Sequence, residues 1–460
     1  MKSTFSGWRY LWTSQDIRRK LLVTILLLVI FRLAANVPVP GINADALKAM
    51  LANMNSTGNF LAFLDLLSGG TVSRFSLLAM GVYPFITAQI IIQLVTPIFP
   101  ALQRKMEEDP REGRKWMEKW TMYLAIPMAI LSAIGQINIF NSYAANVPGS
   151  GGRIIDFGFT PTLWLPSLAV LAAMVGGTMF AIWLGELISE YGIRGQGLSL
   201  IIFAGIVARM PANFTTIWAD KASRWPMLIT MVVVIVLTIF VIVYVQQGRR
   251  NVPVMYPGRR VGNRMSMPVK GTLPLMVNLA GMIPLIFAGA LLQFPAIVAS
   301  YFLDATKYSP GLVSFANSIK NTFNGTTWVY WLLYFLMVVG FTFFYTDVLF
   351  TQQNYGENLT KVGAQIPGIN RGAPTQKYLT KVQRRITFPG ALFLGMVAVL
   401  PYLIGLGLTA AGISTAASSS TLLLVSSAGL LIVVGVVRDT FQNIDAELKL
   451  HGYEDSLLVK

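Results

Sequence analysis

The sequence of 460 residues contains no cysteine and a single histidine, His451. Without cysteine, the chain can form neither disulfide bonds nor thiolate metal sites. With one histidine, in the C-terminal tail, it cannot supply a histidine metal cluster or a histidine-based catalytic triad. These absences exclude several common classes of extracellular proteins and enzymes.

Charge is also scarce, since only 12% of the residues are charged while 54% are hydrophobic. A soluble protein of this length would carry about twice that charged fraction. The composition therefore indicates a polytopic membrane protein rather than two or three soluble domains. The net charge of +16 is informative mainly through its distribution along the chain.

The apolar segments contain few ionisable residues, and these lie near segment ends. An ion-coupled transporter or pump normally needs carboxylates or histidine within its spans, and an intramembrane protease needs a catalytic pair that is absent here. The chain also lacks a GxxxxGK[ST] phosphate-binding loop. We therefore expect no enzymatic activity, no cofactor and no metal. A partner or a gradient would have to supply energy.

Apolar stretches long enough to cross the hydrocarbon of a bilayer, about 30 Å thick, occur roughly ten times. We predict an all-α polytopic fold of about ten transmembrane helices. The fifth stretch matches a membrane span least well, because it is short and flanked by glycine. The predicted spans are 21–37, 75–97, 118–139, 163–185, 195–213, 225–246, 273–294, 328–350, 387–407 and 418–438.

Lysine and arginine alternate sharply between the connecting loops. They are dense before the first span and after the second, sixth and eighth spans, and sparse in the loops between. This pattern predicts a protein of the cell membrane with both termini on the cytoplasmic side. The basic N-terminal segment is followed by an apolar run without a small-x-small cleavage pattern, so we interpret 21–37 as a retained span.

Two apolar segments, Gly81–Gln93 and Gly281–Gln293, match at a constant offset in glycine, proline, isoleucine, alanine and glutamine positions. They lie five spans apart, so they must cross the membrane in opposite directions. This predicts an inverted repeat of two five-helix halves, 1–213 and 214–460, with special segments near the midplane. Val82, Ile86 and Ile286 would line an apolar constriction that closes by dewetting. Chance similarity between apolar segments is the alternative.

The segment 60–70 is apolar but too short to cross the bilayer, and it ends in Gly69-Gly70. Re-entry from outside, shielded by protein, and an interfacial helix lying on the membrane are both compatible with it.

Paired arginines occupy the two long inner loops, 247–272 and 351–386. They fit a docking surface for an acidic protein face or for RNA phosphates, and the loops are longer than a connector needs. Ordinary positive-inside charge in contact with lipid headgroups is the alternative.

Several motifs along the whole chain resemble the SecY family of protein-conducting channels. The matching stretches include Val37–Gly41, Pro84–Gln93, Gly197–Ile206, Gly248–Val254, Asn278–Pro284, Ile366–Ile369 and Gly452–Glu454. The resemblance implies an hourglass pore between two five-helix halves.

It also implies specific residue roles. The pore ring would be Val82, Ile86, Leu198, Ile202, Ile286 and Ile432. The plug, 60–74, would include Phe60, Leu61, Phe63, Leu64, Leu67, Gly69, Gly70 and Arg74. The polar positions of a lateral gate between spans two, three, seven and eight would be Thr87, Gln93, Ser132 and Asn278. The docking residues would be Arg249, Arg250, Arg259, Arg260, Arg371, Arg384 and Arg385.

The partners that the resemblance implies are the subunits SecE and SecG, the motor ATPase SecA, the ribosome, precursor polypeptides with signal sequences, and membrane lipids. One departure matters, because the family usually reads Pro-Gly-Ile-Arg-Pro-Gly where this chain reads Pro367-Gly-Ile-Asn-Arg-Gly372. Asn370 stands at the position of the family's key arginine, so it is open whether Arg371 takes over that contact.

We therefore expect a passive, gated channel that passes unfolded polypeptides and releases hydrophobic segments sideways into lipid. Two other classes stay open at this point. One is a small-solute secondary transporter with inverted repeats, which the lack of a mid-span charge disfavours. The other is a membrane insertase or scaffold without a pore.

Overall fold

The structure is a computed structural model of the chain. It describes residues 15–43, 46–47, 75–96, 99, 110–145, 154–158, 160–161, 163–193, 195, 197–219, 224–257, 260–261, 264–265, 269–300, 302, 309–323, 327–410 and 427–450.

Most of the described residues are helical. The helices are α1 (Gln15–Ala34), α2 (Tyr83–Val95), α3 (Pro110–Ala145), α4 (Trp164–Tyr191), α5 (Gly197–Ala219), α6 (Arg224–Gln247), α7 (Ile283–Ser300), α8 (Pro310–Thr322), α9 (Trp328–Gln352), α10 (Tyr355–Lys361), α11 (Ala373–Ala410) and α12 (Ser427–Leu450). The strands are β1 (Arg249–Tyr256), β2 (Arg260–Val261), β3 (Arg264–Met265) and β4 (Val269–Met276).

Each of the ten predicted spans overlaps one helix, and the short helices α8 and α10 lie between spans. Two predicted starts are wrong, because residues 75–82 lie in turns and a β-bridge before α2, and residues 273–282 form the end of β4 and the turn before α7. By length and mean hydropathy alone, three helical stretches in the described residues could cross a membrane, Lys115–Asn141, Trp164–Tyr191 and Trp328–Lys361. Others are shorter or carry polar ends. The 13 residues of α2, for example, cover only about 20 Å at 1.5 Å per residue. The predicted boundary after residue 213 falls inside α5, and the division into halves stays a prediction.

The sequence repeat recurs as a structural repeat. Gly81 and Gly281 both have positive φ angles, 54° and 64°, and each stands two residues before a helix, α2 or α7. Proline follows in the first turn of both helices, where its missing N–H costs nothing. The chain thus enters both helices through the same left-handed turn.

The central core joins helices from both predicted halves. It is one hydrophobic cluster with members on α1, α4, α5, α6, α7, α9, α11 and α12. Leu184, Leu285 and Leu431, for example, are at most 1% exposed within it. A second cluster surrounds Phe75, whose ring meets Phe140 of α3 edge-on at 4.9 Å.

The two long loops fold into one unit, which we name the loop body: β1, β4, α10 and the first turns of α11. β1 and β4 pair antiparallel from Arg249↔Met276 to Tyr256↔Val269. Met255 exchanges two backbone hydrogen bonds with Gln365 of the second loop, at 2.8 and 2.9 Å. A separate hydrophobic cluster with members such as Val254 and Leu379 closes the unit.

Candidate functional site

The six predicted ring positions belong to one hydrophobic cluster, the central core. Val82, Ile202, Ile286 and Ile432 are buried, with exposed fractions of 1%, 5%, 7% and 2%. Ile86 and Leu198 are half-buried and pack against the same cluster. Residues at four helices, α2, α5, α7 and α12, therefore share one cluster, although they are spread over most of the chain. Their assignment to a pore stays a prediction.

Local backbone geometry places these side chains. Val82 follows the left-handed Gly81, and its carbonyl accepts a hydrogen bond from the Ile86 amide at 3.1 Å. On α5, Leu198 and Ile202 lie one turn apart, on the same helix face. The start of α5 approaches α4 closely, because a Cβ on Gly197 would overlap the Gly185 carbonyl. Aliphatic side chains offer no ligand for a solute or ion, so this cluster can seal space but cannot coordinate cargo.

A second cluster forms a seam between α2 on one side and α7 and α9 on the other. Tyr83 and Ile90 of α2 pack with Phe287 of α7 and Tyr345 of α9. The Phe287 ring meets Tyr345 edge-on at 5.8 Å, and meets Phe341 in the same way at 6.2 Å. The seam is held by dispersion and aromatic contacts, which can separate without breaking an ion pair.

Among the predicted gate residues, Gln93 lies at this seam, where its side chain is close to that of Tyr345 of α9. Thr87 is buried, and its hydroxyl donates to the Pro84 carbonyl at 2.8 Å. Ser132 is buried on α3, and the Asn278 amide donates to the Gly281 carbonyl at 3.1 Å.

Several of these amides retain unused hydrogen-bonding capacity. The side-chain oxygens of Gln93 and Asn278 are buried without a partner among the described residues. The same holds for Gln136 of α3 and Thr346 of α9, which sequence reasoning missed. A glutamine within the predicted span 118–139 was the available signal for Gln136. Buried polar atoms without a partner are rare in folded proteins and unfavourable for packing.

The predicted plug, Phe60 to Arg74, lies outside the described residues. The chain resumes at Phe75, which is fully buried, and a Cβ on Gly177 of α4 would overlap the Leu77 carbonyl.

The predicted docking arginines fall into three groups. Arg249, Arg250, Arg371 and Arg385 are exposed on the loop body. Arg384 is also exposed, but it is paired. Arg259 and the side chain of Arg260 lie outside the described residues.

Arg384 binds Asp347 of α9 with two parallel hydrogen bonds, from Nε at 3.1 Å and from Nη2 at 2.8 Å. These bonds and the nearby negative charge raise the pKa of the Arg384 guanidinium, so the pair stays ionised. Arg384 is therefore neutralised locally. Asp347, predicted as a charge at the helix end, has this arginine as its partner.

The segment that departs from the family pattern is an ordered turn. The Asn370 carbonyl accepts a hydrogen bond from the Thr375 hydroxyl at 2.7 Å, at the start of α11. Arg371 is exposed beside Gly372, which has a φ of 86°. The Thr375 hydroxyl therefore holds this turn, in which Arg371 stands at the position of the family's proline.

Together these features describe a helical polytopic membrane protein in which the six predicted ring positions share one apolar cluster, an apolar seam joins α2 to α7 and α9, and arginines lie exposed on the loop body. The chain belongs to the SecY family, whose model matches residues 76–441. It is 36% identical to the protein translocase subunit SecY of Mycobacterium bovis, covering 96% of this chain and 97% of that protein. Similar figures hold for the Aquifex aeolicus protein of the same name, 36% identical with 96% of each chain covered.

Solved structures show the same fold. A structure described as that of a protein conducting channel superposes with a TM-score of 0.61 at 17% identity, covering 96% of this chain and 95% of the other. A second, concerning the plug domain of SecY, has a TM-score of 0.58. The sequence prediction of a polytopic helical fold is confirmed.

Proposed function

We propose that this chain is the channel subunit of a protein translocase. It passes unfolded polypeptides across the membrane and releases hydrophobic segments sideways into lipid. Its family and the SecY name of its relatives support a channel rather than an enzyme. The convergence of six distant aliphatic residues in one cluster carries the proposal.

The physical properties of the six predicted ring positions, which we name the waist, suit this task. A ring of Val, Ile and Leu side chains excludes water when closed. An ion would have to lose its hydration shell to pass, so the closed ring blocks ions. It makes no directed bond to any cargo, so polypeptides of varied side chains can pass. Side-chain rotation can adapt the opening to a threaded chain. We further propose that residues 60–74 are the plug of this channel.

The seam is the proposed exit toward lipid. Its contacts between α2 and α9 are largely apolar, and Gln93 is a polar group of α2 that lies near Tyr345. An inserted signal helix would replace these apolar contacts with its own at little net cost. Thr87, Ser132 and Asn278 would then tune how hydrophobic a segment must be to open the seam.

The proposed partners follow from the basic loop body and from the family. SecE and SecG would complete the membrane complex, and SecA or the ribosome would bind the loop body and supply the driving force. Both termini and the loop body would face the cytoplasm, as the lysine and arginine distribution indicates.

Disulfide crosslinking tests the channel directly, because the chain has no native cysteine. Single variants Ile86→Cys, Ile202→Cys, Ile286→Cys and Ile432→Cys are each combined with one cysteine in a stalled secretory precursor. We expect all four to crosslink to the precursor, at neighbouring precursor positions. Val236→Cys, on the exposed face of α6, is the matched control and should not react.

Crosslinks at Val236 equal to those at the waist would contradict a central pathway. Membrane insertion of a hydrophobic segment without passage of a soluble precursor would instead support an insertase without a pore. Saturable, gradient-driven flux of a small solute in liposomes would favour the transporter class.

A further inference from the structure

A groove runs between the end of α9, the helix α10 and the first turns of α11. It has a volume of ≈ 1040 Å³. Its lining includes Lys377, Lys381, Arg384 and Arg385 along one face of α11, with Phe343 and Phe388 at its lower end. It therefore combines a cationic rim with an apolar floor.

Three of the four cations are available to a ligand. Arg384 is held by Asp347, while Lys377, Lys381 and Arg385 are exposed and have no acidic partner among the described residues. The one acidic residue in the lining, Glu357, is paired with Lys361 at 3.0 Å. The groove therefore carries an uncompensated positive charge.

The groove sits at the expected membrane boundary. α11 has 38 residues, about 57 Å at 1.5 Å per residue, so it extends well beyond a bilayer core of about 30 Å. The predicted span begins at residue 387. Arg385 then stands about 3 Å above the hydrocarbon, within the headgroup layer, and Lys381 stands about 9 Å above it, just beyond that layer but within reach of it through its long side chain. The rings of Phe343 and Phe388, 6.5 Å apart, form the floor at that boundary.

The basic face of α11 continues directly into an exposed apolar stripe. Phe388, Met396 and Leu403 are 56%, 59% and 55% exposed, and their spacing of seven or eight residues keeps them in line with Lys381 and Arg385. A ligand with a charged head and a long apolar tail fits both parts at once. A free phosphate, an RNA or an acidic protein would use only the upper part.

We propose that this groove is a binding site for one anionic phospholipid, with its phosphate between Lys377, Lys381 and Arg385 and an acyl chain along Phe388 and Met396. This assigns Arg385 to lipid rather than to a docking partner. The site does not depend on the channel function proposed above.

Fluorescence quenching in detergent micelles tests the site. The variant Met396→Cys carries a fluorophore on the apolar stripe, and Val236→Cys carries it on another lipid-facing helix, α6. Phosphatidylglycerol with brominated acyl chains is added as the quencher, and brominated phosphatidylcholine serves as the zwitterionic comparison. We expect half-maximal quenching at residue 396 at a mole fraction of phosphatidylglycerol about tenfold lower than at residue 236, since the three rim cations attract an anionic headgroup. Phosphatidylcholine should show no such difference.

Neutralising the cationic rim of the groove should remove the preference for phosphatidylglycerol at residue 396. The triple variant K377Q/K381Q/R385Q, in the Met396→Cys background, is expected to lose the tenfold preference, while R18Q/R19Q/K115Q removes the same charge elsewhere and should retain it. If the first variant does not fold, salt gives the same information on the parent chain. Raising ionic strength from about 0.05 M to about 0.5 M shortens the screening length and should abolish the preference.

Three results would overturn the proposal. One is equal quenching at residues 396 and 236. Another is full competition by soluble glycerol phosphate, which would show an anion site without a lipid requirement. The third is an unchanged lipid preference in K377Q/K381Q/R385Q together with loss of SecA or ribosome binding, which would assign the groove to a docking partner.

Discussion

Gly81 and Gly281 show at the residue scale how a repeated sequence produces a repeated turn. Both have positive φ, a conformation that costs an L-residue with a side chain roughly 1–2 kcal/mol. The residues after each glycine start α2 and α7 and include the ring positions Val82 and Ile286. The turn therefore sets the direction in which these side chains point.

We predict that Gly281→Ala destabilises the protein by about 1–2 kcal/mol. A Cβ at Gly281 would meet no atom within 4 Å, so the cost is backbone strain rather than a clash. Gly340→Ala, inside α9 and with equally open surroundings, is the control and should be neutral or slightly stabilising, because alanine favours helix. Thermal unfolding in detergent measures both. Equal effects would mean that the φ angle at residue 281 is unimportant.

Ile286 is 7% exposed within the waist, so a polar group there must attract water or remain unpaired. We predict that Ile286→Asn hydrates the waist, raises ion conductance in planar bilayers and relaxes selection for hydrophobic signal sequences. Ile229→Asn, on the exposed face of α6, should leave conductance unchanged. Unaltered conductance of the Ile286 variant would argue against a pore at this cluster.

At the scale of elements, helix α4 packs on the chain just before α2, with one close backbone approach at Gly177. A Cβ on Gly177 would overlap the backbone carbonyl of Leu77, while a Cβ on the adjacent Gly176 would meet nothing within 4 Å. The position of α2, and with it Val82 and Ile86, depends on this contact.

This neighbouring pair of glycines provides a matched test. Gly177→Ala should displace α4 from the chain before α2 and cost about 1–3 kcal/mol, since overpacked cores relax incompletely. Gly176→Ala should have little effect. Unfolding midpoints and the ion conductance of each variant are measured together. A stable, tightly closed Gly177 variant would show that α2 does not rely on α4 for its position.

The loop body shows that loops predicted separately can form one element. Both loops were expected to carry docking charge, and exposed arginines lie on both, while docking itself stays a prediction. Their union through Met255 and Gln365 was not predicted, because backbone bridges between distant segments leave no periodic signal in sequence.

At the scale of the whole molecule, charge is separated from the apolar body. Arg249 and Arg250 stand at the base of the hairpin, exposed, while the aliphatic waist lies among the spans. A soluble partner would therefore meet a basic face without touching the waist. Exposed charges of this kind act mainly on association rates and on partner selection.

We predict that Arg249→Glu with Arg250→Glu weakens SecA binding at least about tenfold at low salt, with normal membrane insertion, because reversed charge repels an acidic partner. Arg18→Glu with Arg19→Glu changes the same net charge at another site and should bind normally. Binding is measured by surface plasmon resonance on reconstituted protein. Full binding by the hairpin variant would place docking elsewhere on the loop body.

The sequence by itself determined the class of the molecule, about ten helical segments, the repeated glycine–proline segment and the alternation of basic loops. These depend on hydropathy, charge and glycine or proline positions, which are local and read directly along the chain. Three of the six ring residues followed from the repeat, and the other three only from family resemblance.

Only the tertiary structure decided which distant residues meet. It brought the six aliphatic positions into one cluster, paired Arg384 with Asp347, and left Lys377, Lys381 and Arg385 over an apolar floor. Such contacts depend on how helices far apart in the chain pack side by side. Packing is set by the shapes of many side chains at once, so no single segment encodes it.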